Sequence, residues 1–215
     1  MEPSVAILIP VLGRPQRIAP LLRNIREATP EQHRVYFAAS DEPTVAAILR
    51  DEAESTLAYD SGETYPIRIN ALYERSREPL LFLCGDDYWF HNGWLPPLLA
   101  AMEDLGGSGV CVPNDLHNPN GTCALVSREY VDSRSGCIDI PGVVVNPGYS
   151  HNYCDTELFE TAAHRHSLRY VPDSVVEHLH PCAGKAETDA TYTKGLARLN
   201  YDRALYESRR HLWTR

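Results

Sequence analysis

The stretch LLFLCGDDYWFHNGW, from Leu80 to Trp94, decides the expected fold. Its first five residues, Leu80 to Cys84, are apolar and predict a buried strand, which stops at Gly85, Asp86 and Asp87 before an aromatic, turn-rich segment. In open α/β sheets, ligands collect at the carboxyl ends of the strands, and carboxylate oxygens suit Mg²⁺ or Mn²⁺ carrying a diphosphate. The alternative is a solvated Asp-Asp turn that only ends the strand.

The composition indicates an ordinary globular enzyme. The chain of 215 residues is long enough for one large domain with a sizeable core. Its 43% hydrophobic and 23% charged residues argue against a disordered or fibrous protein. The net charge of -9 argues against a protein that holds duplex nucleic acid through its phosphates, because such proteins carry a basic footprint.

Cysteine usage and hydropathy bear on the compartment. The six cysteines include no C-x-x-C pair and no regular spacing, and no signal peptide precedes the first predicted strand. No apolar run approaches the roughly 20 residues that cross a bilayer. We therefore expect reduced thiols in a cytoplasmic protein without a membrane span.

The residues before Leu80 alternate between strand and helix patterns. The run VAILIPV, Val5 to Val11, predicts a first buried strand, and a turn leads from it to a helix over Gln16 to Ala28. A second strand follows over Val35 to Ala39 and a second helix over Thr44 to Leu57. A brief third strand over Ile67 to Ile69 then leads to a short polar helix over Asn70 to Arg77. This alternation favours a parallel sheet with right-handed crossovers.

The residues after Trp94 are more irregular. A helix over Leu95 to Leu105 and a strand over Val110 to Pro113 precede Asn114 to Tyr153, which we expect to form loops and short mixed strands. The remaining patterns predict a helix over Asp155 to His166 and two strands, over Tyr170 to Val171 and Val175 to His178. A mobile loop over Pro181 to Asp189 and a charged helix over Thr191 to Trp213 follow. The last helix is expected to wrap the body or a neighbouring subunit.

Four segments, in order, resemble the GT-A fold of nucleotide-sugar glycosyltransferases, most of all the family 2 type. They are VAILIPVLGRP at 5–15, Asp41 after the second strand, INALYERSREPLLFLCGDD at 69–87 and YCDTELFETAAHRHSLRYVPDSVVEHLHP at 153–181. The resemblance implies an α/β fold with a mostly parallel central sheet flanked by helices and a C-terminal helical extension. It divides the chain into a catalytic domain, 1–182, with nucleotide-binding and acceptor-binding halves at 1–113 and 114–182, followed by a flexible loop and helix at 183–215.

The resemblance also implies roles for the residues around the acid pair. Asp87 would ligate Mn²⁺ or Mg²⁺, and Asp86 would contact the ribose, although Gly85 stands where the family motif commonly has an earlier acid. His178, at the end of a strand, matches a further metal ligand, with His180 in reserve. Asp155 would be the general base that takes the proton of the acceptor hydroxyl.

Further residues match the donor pocket of the family. Pro10, Arg14 and Asn70 occupy lining positions, Asp41 would grip the nucleobase or ribose, and Lys185 or Arg198 would neutralise the diphosphate when a loop closes over the donor. From the residues alone, Asp41 and Asp155 fit helix N-caps as well, because a carboxylate before a helix accepts its first amide hydrogens.

The function implied by the resemblance is that of a metal-dependent inverting glycosyltransferase. It would move a sugar from a nucleoside-diphosphate sugar to a hydroxyl of a small molecule, glycan, protein or modified DNA base, with a possible homo-oligomer through the terminal helix. Alternatives are a catalytically silent nucleotide-sugar-binding module, a sugar nucleotidyltransferase, and a zinc hydrolase that uses His164, His166, His178 and His180. The nucleotidyltransferase usually needs a glycine-rich loop and a lysine, whereas the turn at 12–16 has one glycine and no lysine.

Overall fold

A computed structural model describes residues 5–39, 41–51, 56–59 and 64–213, with the backbone alone at 51 and 56–59. The strands are β1 (Val5–Pro10), β2 (His33–Ala39), β3 (Thr56–Tyr59), β4 (Leu80–Leu83), β5 (Tyr88–Phe90), β6 (Val110–Asn114), β7 (Ala124–Ser127) and β8 (Leu168–His178). The α-helices are α1 (Ile18–Ala28), α2 (Glu42–Asp51), α3 (Tyr65–Arg75), α4 (Leu95–Asp104), α5 (Arg128–Arg134), α6 (Cys154–His164), α7 (Ala190–Ala197) and α8 (Leu199–Arg209).

The strands form a sheet in the order β3-β2-β1-β4-β7-β6-β8-β5. Strands β3, β2, β1 and β4 are parallel to one another, and β6 is parallel to β8. Strand β7 runs antiparallel to its two neighbours, and β5 runs antiparallel to β8. The prediction of a mostly parallel α/β sheet flanked by helices is therefore confirmed.

The central strands β1 and β4 are buried on both faces. Side chains alternate along a strand, so Ile7 and Phe82 belong to the core shared with α1, α2 and α4. Leu8 and Leu81 belong to the opposite core, shared with α3, α5 and α6. With both faces covered by helices, polar groups of this region can reach a ligand only where the strands end.

The prediction of a strand over Ile67 to Ile69 was wrong, whereas the helix predicted from Asn70 is confirmed as far as Arg75. Ile67 to Ile69, predicted as a strand, lie inside helix α3, which starts at Tyr65 and also contains the first part of the helix predicted from Asn70. Pro66 in the first turn suits a helix start, and Ile69, Leu72 and Tyr73 are buried at helical spacing. Strand β3 lies earlier, at 56–59.

Other boundaries also moved. The helix predicted over Thr44 to Leu57 ends at Asp51 among the described residues; 52–55 lie outside them, and 57 belongs to β3. The two strands predicted between 170 and 178 form the single strand β8, whose register with β6 shifts beyond Pro113. The predicted terminal helix divides at Arg198 into α7 and α8.

Helix α8 packs on the body of its own chain. Arg209, near its end, donates to both carboxylate oxygens of the fully buried Glu157 on α6, at 2.8 and 2.9 Å. Tyr149 and Asn146 also donate to Glu157. In the part of the chain that the structure describes, no helix is long and apolar enough to cross a bilayer.

Replacing Arg209 with alanine should lower the free energy of unfolding by about 3 kcal/mol, because a buried carboxylate then loses its charged partner. Urea denaturation measures the change. The control is Arg210→Ala, which removes an exposed arginine paired with Glu207 and should leave the free energy of unfolding nearly unchanged. Equal losses in the two variants would contradict this role of the Arg209–Glu157 pair.

Candidate active site

A cavity of about 500 Å³ lies at the carboxyl ends of β1 and β4. Its walls come from the turn after β1, the acid pair after β4, segment 150–153 with the start of α6, the end of β8, and helix α7. The residues with predicted roles that line it are Pro10, Arg14, Asp86, Asp87, Asp155, His178, His180 and Arg198. Side chains from distant parts of the sequence thus share one cavity.

The acid pair is buried rather than solvated. Asp86 and Asp87 are 7% and 9% exposed, which excludes the solvated turn that was the alternative for this motif. A Cβ atom at Gly85 would lie 2.9 Å from Oδ1 of Asp87. Glycine at this position therefore leaves room for the Asp87 carboxylate.

The two carboxylates differ in their electrostatics. Burial, with the negative charge of Asp87, raises the pKa of Asp86 to about 7, although Arg14 opposes the shift. Burial also opposes ionisation of Asp87, but the hydrogen bond and charge of His178, with the charge of Arg14, hold its pKa below the usual range. Oδ2 of Asp86 is buried and has no hydrogen-bond partner among the described residues.

A hydrogen-bond chain fixes the tautomer of His178. The buried Asp115 accepts two backbone amides, and Thr122 donates its hydroxyl hydrogen to Asp115 over 2.6 Å. Nδ1 of His178 lies 3.2 Å from the same hydroxyl oxygen, so it must donate to it. Nε2 then faces Oδ2 of Asp87 at 3.4 Å, where it hydrogen-bonds the carboxylate when protonated and offers a lone pair to a metal when neutral. The ring is held flat against Tyr88, with centroids 4.5 Å apart.

This arrangement fits a divalent cation held by two protein ligands. Asp87 offers a carboxylate oxygen and His178 an imidazole nitrogen whose other ring nitrogen is anchored, as metal-bound histidines commonly are. Mg²⁺ and Mn²⁺ can complete their shells with waters and substrate phosphates. Across residues 5–39, 41–51, 56–59 and 64–213, no three His, Cys, Asp or Glu side chains are placed to hold a metal together.

Arg14 ties the acid pair to helix α7. Its Nη1 donates to Oδ1 of Asp86 at 2.8 Å, and its Nε and Nη2 donate to Asp189 at 2.8 and 2.9 Å. The guanidinium lies 4.0 Å from the ring centre of Tyr192, whose hydroxyl donates to Oδ2 of Asp87. Sequence reasoning missed Asp189 and Tyr192, because no local pattern reveals contacts with residues 175 and 105 positions away.

Asp155 lines the cavity from the start of α6. The helix begins at Cys154, with Tyr153 at the N-cap, so Asp155 lies inside the first turn and its Oδ1 accepts the adjacent Thr156 amide. Burial raises the pKa of Asp155, although the Thr156 amide opposes the shift. A half-buried carboxylate with a raised pKa is a stronger base than a solvated aspartate.

Three residues with predicted donor-site roles make other contacts and do not line the cavity. Asp41 accepts the amides of Thr44 and Gly13, as expected of the helix cap that was its alternative role. Asn70 bonds the backbone of Val144 and Val145 through its side chain. Lys185 pairs with Glu177 at 2.8 Å and donates to the Leu116 carbonyl.

Two cations line the cavity near α7: Lys194, which had no predicted role, and Arg198, the predicted alternative to Lys185. Lys194 lies on α7 and Arg198 caps its C-terminus; both are exposed and have no carboxylate partner among the described residues. His151 lines the cavity next to Gly195 of α7, and the surrounding protein lowers its pKa by desolvation. Tyr65 contacts the His151 ring edge to face.

No protein-family model and no curated protein matches this sequence. Solved structures of glycosyltransferases, however, are similar to it. A mannosyltransferase from Pyrobaculum calidifontis, solved with GDP-Man and Mn²⁺, has a TM-score of 0.65 at 17% identity over 83% of this chain. TarS 1-349 from S. aureus has a TM-score of 0.63 at 9% identity over 80% of this chain.

Glucosyl-3-phosphoglycerate synthase from Mycobacterium tuberculosis, solved with Mn²⁺ and UDP, has a TM-score of 0.59 at 13% identity over 91% of this chain. The chain spans 57%, 59% and 78% of the three solved chains, in the order given. At such identities the likeness concerns the fold, and the expected GT-A fold is confirmed.

Thr122→Val should weaken Mn²⁺ binding about tenfold, because Nδ1 of His178 then loses the acceptor that orients the ring. Isothermal titration with MnCl₂ measures the dissociation constant. Thr193→Val, on the exposed side of α7, is the matched control and should bind like the wild type. Equal affinities in the two variants would contradict the orienting role of Thr122.

Proposed function

We propose that this protein is a metal-dependent inverting glycosyltransferase that uses a nucleoside-diphosphate sugar. The observation that carries the proposal is the convergence of Asp86, Asp87, His178 and Asp155 on one cavity at the strand ends of a GT-A fold. The solved structures with this fold include complexes with GDP-Man, UDP, Mn²⁺ and Mg²⁺.

Asp87 and His178 would hold Mn²⁺ or Mg²⁺ against the donor diphosphate. The cation, when bound, neutralises the negative charge that develops on the leaving nucleoside diphosphate. Asp86, with an unpartnered buried oxygen beside the cavity, is suited to accept a hydrogen bond from a ribose hydroxyl. This assignment gives each member of the acid pair a separate role.

The cations around the cavity support binding of a diphosphate. Arg14 is buried beside the acid pair, while Lys194 and Arg198 reach the cavity from α7. A helix that covers the site and brings two cations unpaired among the described residues would add charge compensation and exclude water from a hydrolysis-prone donor. We therefore assign to Lys194 and Arg198 the diphosphate contact expected of Lys185, which is paired with Glu177.

Asp155 would act as the general base. It lines the same cavity as the acid pair, and its raised pKa favours proton acceptance from an acceptor hydroxyl. The hydroxyl oxygen would attack the anomeric carbon as the bond to the diphosphate breaks, and the proton would pass to Asp155. A single displacement of this kind inverts the anomeric centre.

We also propose that the protein works in the cytoplasm. Its six cysteines are all free, and five of them are buried. Free thiols are typical of reducing compartments.

Two substitutions should separate metal-dependent donor binding from the catalytic step. Asp87→Asn removes the metal-binding carboxylate and should abolish the Mn²⁺-dependent thermal stabilisation by UDP or GDP together with donor turnover. Asp155→Asn should keep the stabilisation while kcat falls by a factor of about 10² to 10⁴. Thermal shift and nucleoside-diphosphate release, over a panel of UDP- and GDP-sugars, measure both effects.

Asp173→Asn, at an exposed acid of β8, is the control and should behave like the wild type. If no nucleoside diphosphate stabilises the wild type with Mn²⁺, the proposal fails. Stabilisation without any turnover in the wild type would instead identify the silent binding module.

The pH profile of turnover should report Asp155. A base must be ionised to accept a proton, so kcat should be lost as the pH falls through the raised pKa of Asp155. We expect this acid limb to lie above the ordinary aspartate value of about 4. Stopped assays at saturating donor and Mn²⁺ measure kcat, and UDP affinity at each pH is the control. A limb at or below the ordinary value would contradict the assignment.

A further inference from the structure

Asp202 on α8 is a fully buried carboxylate outside the cavity. It accepts the backbone amides of three consecutive residues, Ser150 at 2.7 Å, His151 at 3.0 Å and Asn152 at 2.8 Å. The side-chain amide of Asn152 adds a fourth hydrogen bond at 3.2 Å. The carboxylate therefore compensates for its burial with backbone donors of a segment 50 positions earlier in the chain.

The anchored segment forms the cavity wall that leads into Asp155. Residues 150–152 line the cavity, and Tyr153 follows with φ of 66°, in the left-handed region that a bulky residue rarely adopts. Helix α6, with Asp155 in its first turn, starts directly afterwards. A strained turn of this kind persists only when surrounding contacts hold it in place.

Helix α8 holds this region on both sides of Asp155. Asp202 binds the segment before it, and Arg209 binds Glu157, two residues after it. Helix α7 contacts the same region, because the side-chain amide of Asn152 donates a hydrogen bond to the Gly195 carbonyl. A Cβ atom at Gly195 would lie 3.1 Å from the ring of His151, so the packing there is close.

We propose that Asp202 is a positioning residue: it sets the conformation of segment 150–153 and, through it, the placement of Asp155 and His151 in the cavity. The inference rests on the proposed function in so far as Asp155 acts as a base. Asp202 does not line the cavity, so its removal should affect turnover rather than donor binding.

Asp202→Asn tests the proposal in the full-length protein. The amide nitrogen of asparagine would face a backbone N–H, so part of the anchor is lost with little change of shape. Amide hydrogen exchange by NMR should show protected amides at 150, 151 and 152 in the wild type and about tenfold faster exchange in the variant. With a UDP- or GDP-sugar that the wild type turns over, kcat should fall by a factor of about 10 to 100. The UDP dissociation constant with Mn²⁺ should stay within about twofold, because the donor-binding residues are unchanged.

Ile25→Ala is the control for stability. It truncates a fully buried side chain of α1, in the core on the other face of the sheet, and should lower the melting temperature while kcat stays near wild type. A fall in kcat no larger than that of Ile25→Ala would overturn the proposal.

The exchange data keep the two claims apart. Unprotected amides at 150–152 in the wild type would overturn the role of Asp202 even if Asp202→Asn does not fold. A wild type without turnover would contradict the proposed function, and the exchange rates would still decide whether Asp202 holds the segment.

Discussion

Burial of two adjacent carboxylates at the end of a doubly buried strand is the constraint on which this structure depends. Asp86 and Asp87 are largely withdrawn from solvent there, so the chain must compensate their charge with its own groups. Arg14 comes from the turn after β1, His178 from the end of β8, and Tyr192 from α7. The same need for positive charge makes the position favourable for a divalent cation and its diphosphate.

The C-terminal helices link the two sides of the cavity. Helix α7 covers the acid pair through Tyr192 and the Arg14–Asp189 bonds, while α8 holds the opposite wall through Asp202 and Arg209. Groups that would bind the donor and the group that would deprotonate the acceptor are therefore held by one continuous terminal segment. A change in the position of this segment would therefore affect both the acid pair and the wall that carries Asp155.

The sequence predicted the features that local patterns encode. Continuous apolar runs at Val5–Val11 and Leu80–Cys84 indicated the central strands, and the two acids after the second run indicated the edge where the cavity lies. The triplet Ile67-Arg68-Ile69 is too short to distinguish a strand from a helix, whereas the structure shows Pro66 in the first turn of α3 and a buried face at helical spacing. The bonds of Asp189 and Asp202 join segments that are far apart in sequence, so only the folded chain reveals them.

Anomalous diffraction at the manganese edge, from crystals grown with UDP and MnCl₂, tests the central claim most directly. The account predicts a manganese peak bonded to Oδ2 of Asp87 and Nε2 of His178, with the diphosphate of UDP on the same ion and Asp155 facing the vacant sugar position. UDP bound without manganese at those two atoms, or manganese bound elsewhere in the cavity, would contradict it.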